Sequence, residues 1–217
     1  MSINMENAKK WLSNYNFKTY ASSLFSFAVD IAFIFYNLYT GFKYDSLWHK
    51  SVSLYYIILF LIRGTIILTK RFSKRTNYSK NQNRAMVITS ILMFLLNLSL
   101  AGPVIAMLHG YRYFTLSLIP VIGIAAYTFY KNIMAIIHVI KARKTEDPLV
   151  LRLRAATLMD ALFSILVLQN SMIMVIDGAV EGNMLKLSVA TTLIISALII
   201  GISILILIDT GKIFRKK

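Results

Sequence analysis

Four ionisable side chains, Asp30, Arg63, Lys131 and Asp160, lie inside long apolar runs of this sequence. A charge at the centre of a membrane helix costs at least about 2.5–3.5 kcal/mol on insertion scales, so each calls for a partner or an aqueous cavity. Two acids and two bases cancel in formal charge. Such a set can line the path of a small solute or ion, or it can pair and fix helix register. Coupled transport would need Asp30 to change its protonation or its bound ion. Arg63 and Lys131 have long enough stems either to pair or to reach up to the headgroups. Asp30 is too short for that, which makes it the most informative residue of the four.

Uncharged polar residues extend the line: Asn37, Ser90, Asn97, Tyr127, Asn132, Ser164 and the run Gln169-Asn170-Ser171. Three consecutive polar residues cannot share one face of a helix, so a neighbouring helix or a cavity must receive them. Hydrogen bonding between helices competes here with ligand binding. The pathway candidates are Asp30, Arg63, Lys131, Asp160, Asn97, Tyr127, Gln169 and Asn170. Enzyme chemistry finds little support. The sequence lacks H-E-x-x-H, G-x-S-x-G and phosphate-cradling glycine loops, and no Ser–His pair shares a depth, so no catalytic residue and no cofactor are expected. Cysteine is absent, which excludes disulfides and thiolate metal sites. His49 and His109, with Asp45 or Asp177, lack ligand spacing, so no metal is expected either.

These residues must be positioned by membrane helices. Of 217 residues, 57% are hydrophobic and 15% charged, with mean hydropathy +0.64. An ordinary soluble domain has about 45–50% apolar and 25% charged residues. A spanning helix needs roughly 20 apolar residues. Six segments qualify, at about 20–42, 51–69, 85–108, 113–140, 155–177 and 185–209. The fold class is therefore all-α, a polytopic six-helix membrane bundle over 20–209. Residues 1–19 form a polar, basic segment that could lie at the interface through Trp11, and residues 210–217 a basic tail.

The net charge of +15 would suggest nucleic acid in a soluble protein, but here the bases cluster in short loops between spans. Eighteen Lys and Arg fall at the N-terminus, in the second and fourth loops and in the tail; the opposite loops hold Lys43, Lys50, Arg112 and Lys186. By the positive-inside rule both termini are cytoplasmic. Asp30 then lies about 15 Å and Arg63 about 10 Å from the inner ends of their spans, in adjacent helices, so a pair between them is geometrically natural. Lys131 and Asp160 face a second natural pairing across the hairpin of the fourth and fifth spans, since Lys131 can reach down toward the acid. Pro103 and Pro120 predict local kinks. Rows of small residues, Ser188-Thr192-Ser196 beside Gly201 and Ala28-Ala32, predict close helix packing.

Asn37-x3-Gly41, Ser46-Leu47-Trp48, Tyr55-Tyr56 ahead of Arg63, Ala126-Tyr127-Thr128-Phe129-Tyr130-Lys131 and Ser164 ahead of Leu168-Gln169 form a set of motifs. In these the chain resembles a family of uncharacterised six-span proteins of low-GC Gram-positive bacteria, over most of its length after residue 30. The resemblance implies a bacterial cell membrane and no mechanism. The expected function is transport or permeation of a small solute or ion through a polar cytoplasmic-half interior. The alternative is an accessory, scaffold or immunity-type subunit with structural charges, and an intramembrane enzyme is the weakest reading. The expected partners are the lipid bilayer, a small solute or ion, and a membrane protein or second copy, with no nucleic acid.

Overall fold

A computed structural model describes residues 27–72, 78–108, 118–142, 147–175 and 182–215. The segment 1–19, His109, Arg112 and Asp177 lie outside the described residues, as do the side chains of 182–188. All described elements are helices: α1 over 27–43, α2 Leu47–Phe72, α3 Tyr78–Ser99, α4 Ala101–Leu108, α5 Leu118–Ala142, α6 Pro148–Val175 and α7 Gly182–Arg215. Four stretches are long and apolar enough to cross a membrane: Leu47–Arg71, Asn81–Pro103, Val121–Ala142 and Val189–Ile208. They match the expected second, third, fourth and sixth spans. Large apolar side chains such as Phe94, Ile133, Leu193 and Leu205 point outward, which suits a hydrocarbon solvent and would be unusual in water.

Helix α6 packs on α5, α7, α2 and α3. Its start corrects the sequence reading, which places Arg152 and Arg154 in a basic loop. Asp147 caps the helix, its carboxylate accepting the Leu149 amide at 3.0 Å, with Pro148 at the first helical position. Lys70 in the last turn of α2 reaches the same carboxylate at 2.6 Å. Arg152 and Arg154 are thus helical and buried, each 3% exposed. Arg152 donates to the Met86 carbonyl at 2.7 Å and to the Thr89 and Ser90 hydroxyls at 2.9 Å, tying α6 to α3. The charge asymmetry between loops loses these two members.

At the other end, Ser46 begins α2 by accepting the His49 amide and contacts His49 Nδ1 at 3.0 Å. Asp45 takes a positive φ of 48° in the tight turn before it. Its exposed carboxylate pairs with Lys50, whose ammonium holds the carboxyl below its usual range.

The third span breaks at Leu100, between α3 and α4. Pro103 explains the break, because it has no N–H for the carbonyl of Ser99, four residues back. Pro120 produces none: α5 runs unbroken from Leu118 to Ala142, and in a first turn a missing N–H removes no helical bond. Of the small-residue rows, Thr192 is buried and the Ser196 hydroxyl is inaccessible, as close packing predicts, but the first-helix pair and Gly201 do not pack closely. Ala28 and Ala32 are exposed, and a Cβ on Gly201 would meet nothing within 4 Å. The buried face of α7 is Thr192, Ile195, Ile199, Ser203 and Ile206.

The close approach occurs at Gly102, where α4 meets α2. A Cβ there would lie 2.5 Å from Ser51 Oγ and 2.7 Å from its Cβ. Gly102→Ala should therefore lower the unfolding temperature in detergent by several degrees, the scale of about 1–3 kcal/mol of overpacking. Adding Ser51→Gly should restore most of it. A Gly102→Ala protein as stable as the parent would mean that the two helices do not touch there.

Candidate functional site: four buried charges between two cavities

The four charges within the apolar runs come from four helices. Asp30 lies on α1, Arg63 on α2, Lys131 on α5 and Asp160 on α6. Helical periodicity turns each toward the same point. Arg63 and Asp160 share the buried faces of α2 and α6 with Tyr55, Leu59, Ile62, Ile66 and with Ala156, Met159, Phe163.

Both natural pairings are present. Arg63 Nη1 donates to Asp30 Oδ2 at 2.5 Å, and Lys131 Nζ donates to Asp160 Oδ1 at 2.7 Å. A third contact joins them: Arg63 Nη2 donates to Asp160 Oδ2 at 2.8 Å. The result is one continuous chain, Asp30–Arg63–Asp160–Lys131, neutral in sum. The guanidinium fork suits this position, since its planar donors can hold two carboxylates at once where a lysine would offer a point charge. Side-chain exposure rises along the chain from 1–2% at Arg63 and Asp30, through 6% at Asp160, to 15% at Lys131. Lys131 is the wet end.

Aromatic rings brace the chain. Tyr55 stacks on Phe163 with centroids 3.7 Å apart, and Phe33 stacks on Tyr56 at 5.0 Å. The Tyr55 hydroxyl donates to the Met159 carbonyl at 3.1 Å, one residue before Asp160. Asn132 Nδ2, next to Lys131, donates to the carbonyls of Thr128 and Ala161 at 2.9 Å and so locks α5 to α6. These contacts fix the rotation of the helices that carry the charges.

Two cavities flank the chain, and Phe33, Tyr56, Tyr127 and Lys131 line both. The first, about 230 Å³, holds the charged residues together with Tyr130, His138 and Arg154. The other, about 150 Å³, lies toward the α1–α2 turn between Tyr36, Trp48, His49, Thr128, Ser164 and Asn170. Its walls are mostly rings and aliphatic carbons, with a few amide and hydroxyl groups among them. Lys131 stands at the waist, its ammonium 5.9 Å from the Tyr127 ring centroid.

Comparison with family models, with curated proteins and with solved structures gives no match. The chemistry of the site is therefore read from its own residues.

Of the eight pathway candidates, the structure brings six together: Asp30, Arg63, Lys131, Asp160, Tyr127 and Asn170. Asn97 stands apart on α3, donating to the Met93 carbonyl at 3.1 Å. Gln169 accepts from Thr191 at 2.8 Å and stitches α6 to α7. Arg154, which approaches His138 Nδ1 at 3.4 Å, joins the cavity of the charged residues although the sequence reading assigns it to a loop. Trp48 and His49 are cavity residues that the sequence reading misses. Their motif is visible in the sequence, but their facing Tyr36 and Tyr127 depends on how α1 and α5 pack. Of the outer set weighed as metal ligands, His49 is engaged with Ser46 and lies edge-on to Tyr36.

Proposed function

We propose that this is a six-span protein of a bacterial cell membrane, with both termini cytoplasmic, that passes a small solute or ion along the seam between α1 and α5. The alternation of Lys and Arg between loops supports the orientation. The motifs that resemble those of six-span proteins from low-GC Gram-positive bacteria support the location. The observation that carries the transport reading is the pair of cavities meeting at Lys131. A bundle that used its charges only to hold register would have no need of space on both sides of Lys131. The solute enters the waist beside Lys131, where the charge chain can open at its least buried link. No catalytic step is part of this role.

The continuity of the ion chain favours the second reading, an accessory or scaffold subunit that works with another membrane protein or a second copy. Both acids in the network already have a basic partner, as a purely structural network would have.

Cysteine substitution separates the two, and the parent chain has no cysteine to interfere. Ser164→Cys places a thiol on the wall of the cavity beyond the waist. A small charged thiol reagent applied from the cytoplasmic side should modify it at least about tenfold faster than the thiol of Ala156→Cys, a position with no exposure. In intact cells, Asp45→Cys, at an exposed turn position, and Asn183→Cys should label from outside, and Ser79→Cys and Thr210→Cys should not. An inert thiol in Ser164→Cys would leave the accessory reading standing, and outside labelling of Ser79→Cys would reverse the topology.

A further inference from the structure

The transport reading leaves the solute open; resting on that reading, we infer that the cavity beside Trp48 is a binding site for a small organic monoanion, a carboxylate on a compact apolar or aromatic body. The carboxylate sits on the Lys131 ammonium, and the body fills the ring-lined space above it.

The sign of the ligand follows from which charges remain accessible. Asp160 has both oxygens engaged, one with Lys131 and one with Arg63. Asp30 is 2% exposed and bonded to the same guanidinium. A cationic ligand would have to break into one of these nearly dry carboxylates. Lys131 is 15% exposed, and Asp160 takes one of the three donors that an ammonium carries. A carboxylate can therefore join Lys131 without first dismantling the chain. The charged side chains around the other cavity include three bases, Arg63, Lys131 and Arg154, against the acids Asp30 and Asp160. That surplus offsets the added negative charge.

The body of the ligand follows from shape and lining. About 150 Å³ is the size of an apolar cavity that takes one benzene molecule, so the space admits roughly a six-carbon ring or its branched equivalent. Tyr36, Trp48, Tyr56 and Tyr127 supply ring faces, and Val52, Ile124 and Val167 aliphatic contacts. Polar side chains that are nine-tenths buried, Asn37, Thr128, Ser164 and Ser171, also line it. Few of them can serve a second charge. The serines already donate to the carbonyls of Ala161 and Val167, and Asn37 to that of Phe33. A monoanion with a single polar end fits this distribution better than a zwitterion or a sugar.

Benzoate is a suitable probe. The purified full chain in detergent should bind radiolabelled benzoate saturably, one per chain. Unlabelled benzoate should displace it, whereas benzyl alcohol and benzylamine, with the same ring but no carboxylate, should not. Lys131→Met should weaken binding at least about tenfold, the equivalent of one charge-assisted hydrogen bond. Because that variant disturbs the ion chain, Ile124→Trp provides the second arm. It fills the cavity, leaves every charge in place and should also abolish binding. Benzoate should slow thiol modification of the Ser164→Cys protein. The proposal is overturned by an absence of saturable binding, by equal displacement with benzyl alcohol or benzylamine, or by unchanged affinity in Ile124→Trp. A reactive thiol in Ser164→Cys without benzoate binding would remove the ligand class and leave transport standing. Benzoate binding with that thiol inert would do the reverse.

Discussion

Asp160→Asn should be among the most damaging substitutions in this chain, with a loss of about 3–5 kcal/mol, the cost of leaving a buried cation without its counter-ion. Asp160 is the central acid: Lys131 and Arg63 each hold one of its oxygens, at 2.7 and 2.8 Å. Its neutralisation leaves two cations facing the single carboxylate of Asp30. Asparagine keeps the shape and one acceptor oxygen, so the effect is one of charge and not of a cavity. The second variant identifies the cause. In Asp160→Asn/Lys131→Met the Asp30–Arg63 pair remains as a neutral unit, and most of the lost stability should return. Unfolding in detergent, followed by temperature or by denaturant, measures both. If the double variant loses the sum of its single losses, the carboxylate and the ammonium do not interact and the chain of charges is not continuous.

Asp30→Ala should also destabilise, at the lower end of the same range, about 3 kcal/mol. It removes one of the two carboxylates on Arg63, while Asp160 still holds the other guanidinium nitrogen at 2.8 Å. Arg63→Leu alone strands Asp30, which is 1% exposed and whose ion pair is with that guanidinium. The double variant Asp30→Ala/Arg63→Leu removes both charges and leaves Lys131–Asp160 paired. It should lose less than the two single variants together, with a coupling energy of about 0.5–3 kcal/mol. Additive losses would show that α1 does not dock on α2 through this contact. The comparison of the two cycles also ranks the acids. Asp160 carries two cations and Asp30 carries one, so the first cycle should show the larger coupling.

Both pairs are legible in the sequence because each joins neighbouring helices at matched depth. A short connection makes α1 and α2 neighbours, and likewise α5 and α6, and a rise of 1.5 Å per residue sets the depth. The contact between Arg63 and Asp160 cannot be read in this way. It spans 97 residues and depends on α2 packing against α6. The burial of Arg152 and Arg154 has a signal that loop charge counting overrides, the Asp147-Pro148 start of a helix. Asn97 and Gln169 illustrate the opposite error. Polarity within an apolar run says that a partner is needed, but not whether the partner is a cavity, another helix or a carbonyl one turn back.

By itself the sequence determined that the chain is helical and apolar enough for a bilayer, which residues must be compensated inside it, and which neighbouring helices could supply the compensation. These follow from composition, periodicity and chain connectivity, all of them local quantities. The tertiary structure alone decided that two ion pairs become one chain, that α6 packs on α2, α3, α5 and α7, and that space remains on both sides of Lys131. Those features depend on the rotation and tilt of helices far apart in sequence. Rotation and tilt are set by the summed packing of many side chains such as Tyr55, Phe163 and Asn132, and no single stretch of sequence encodes that sum.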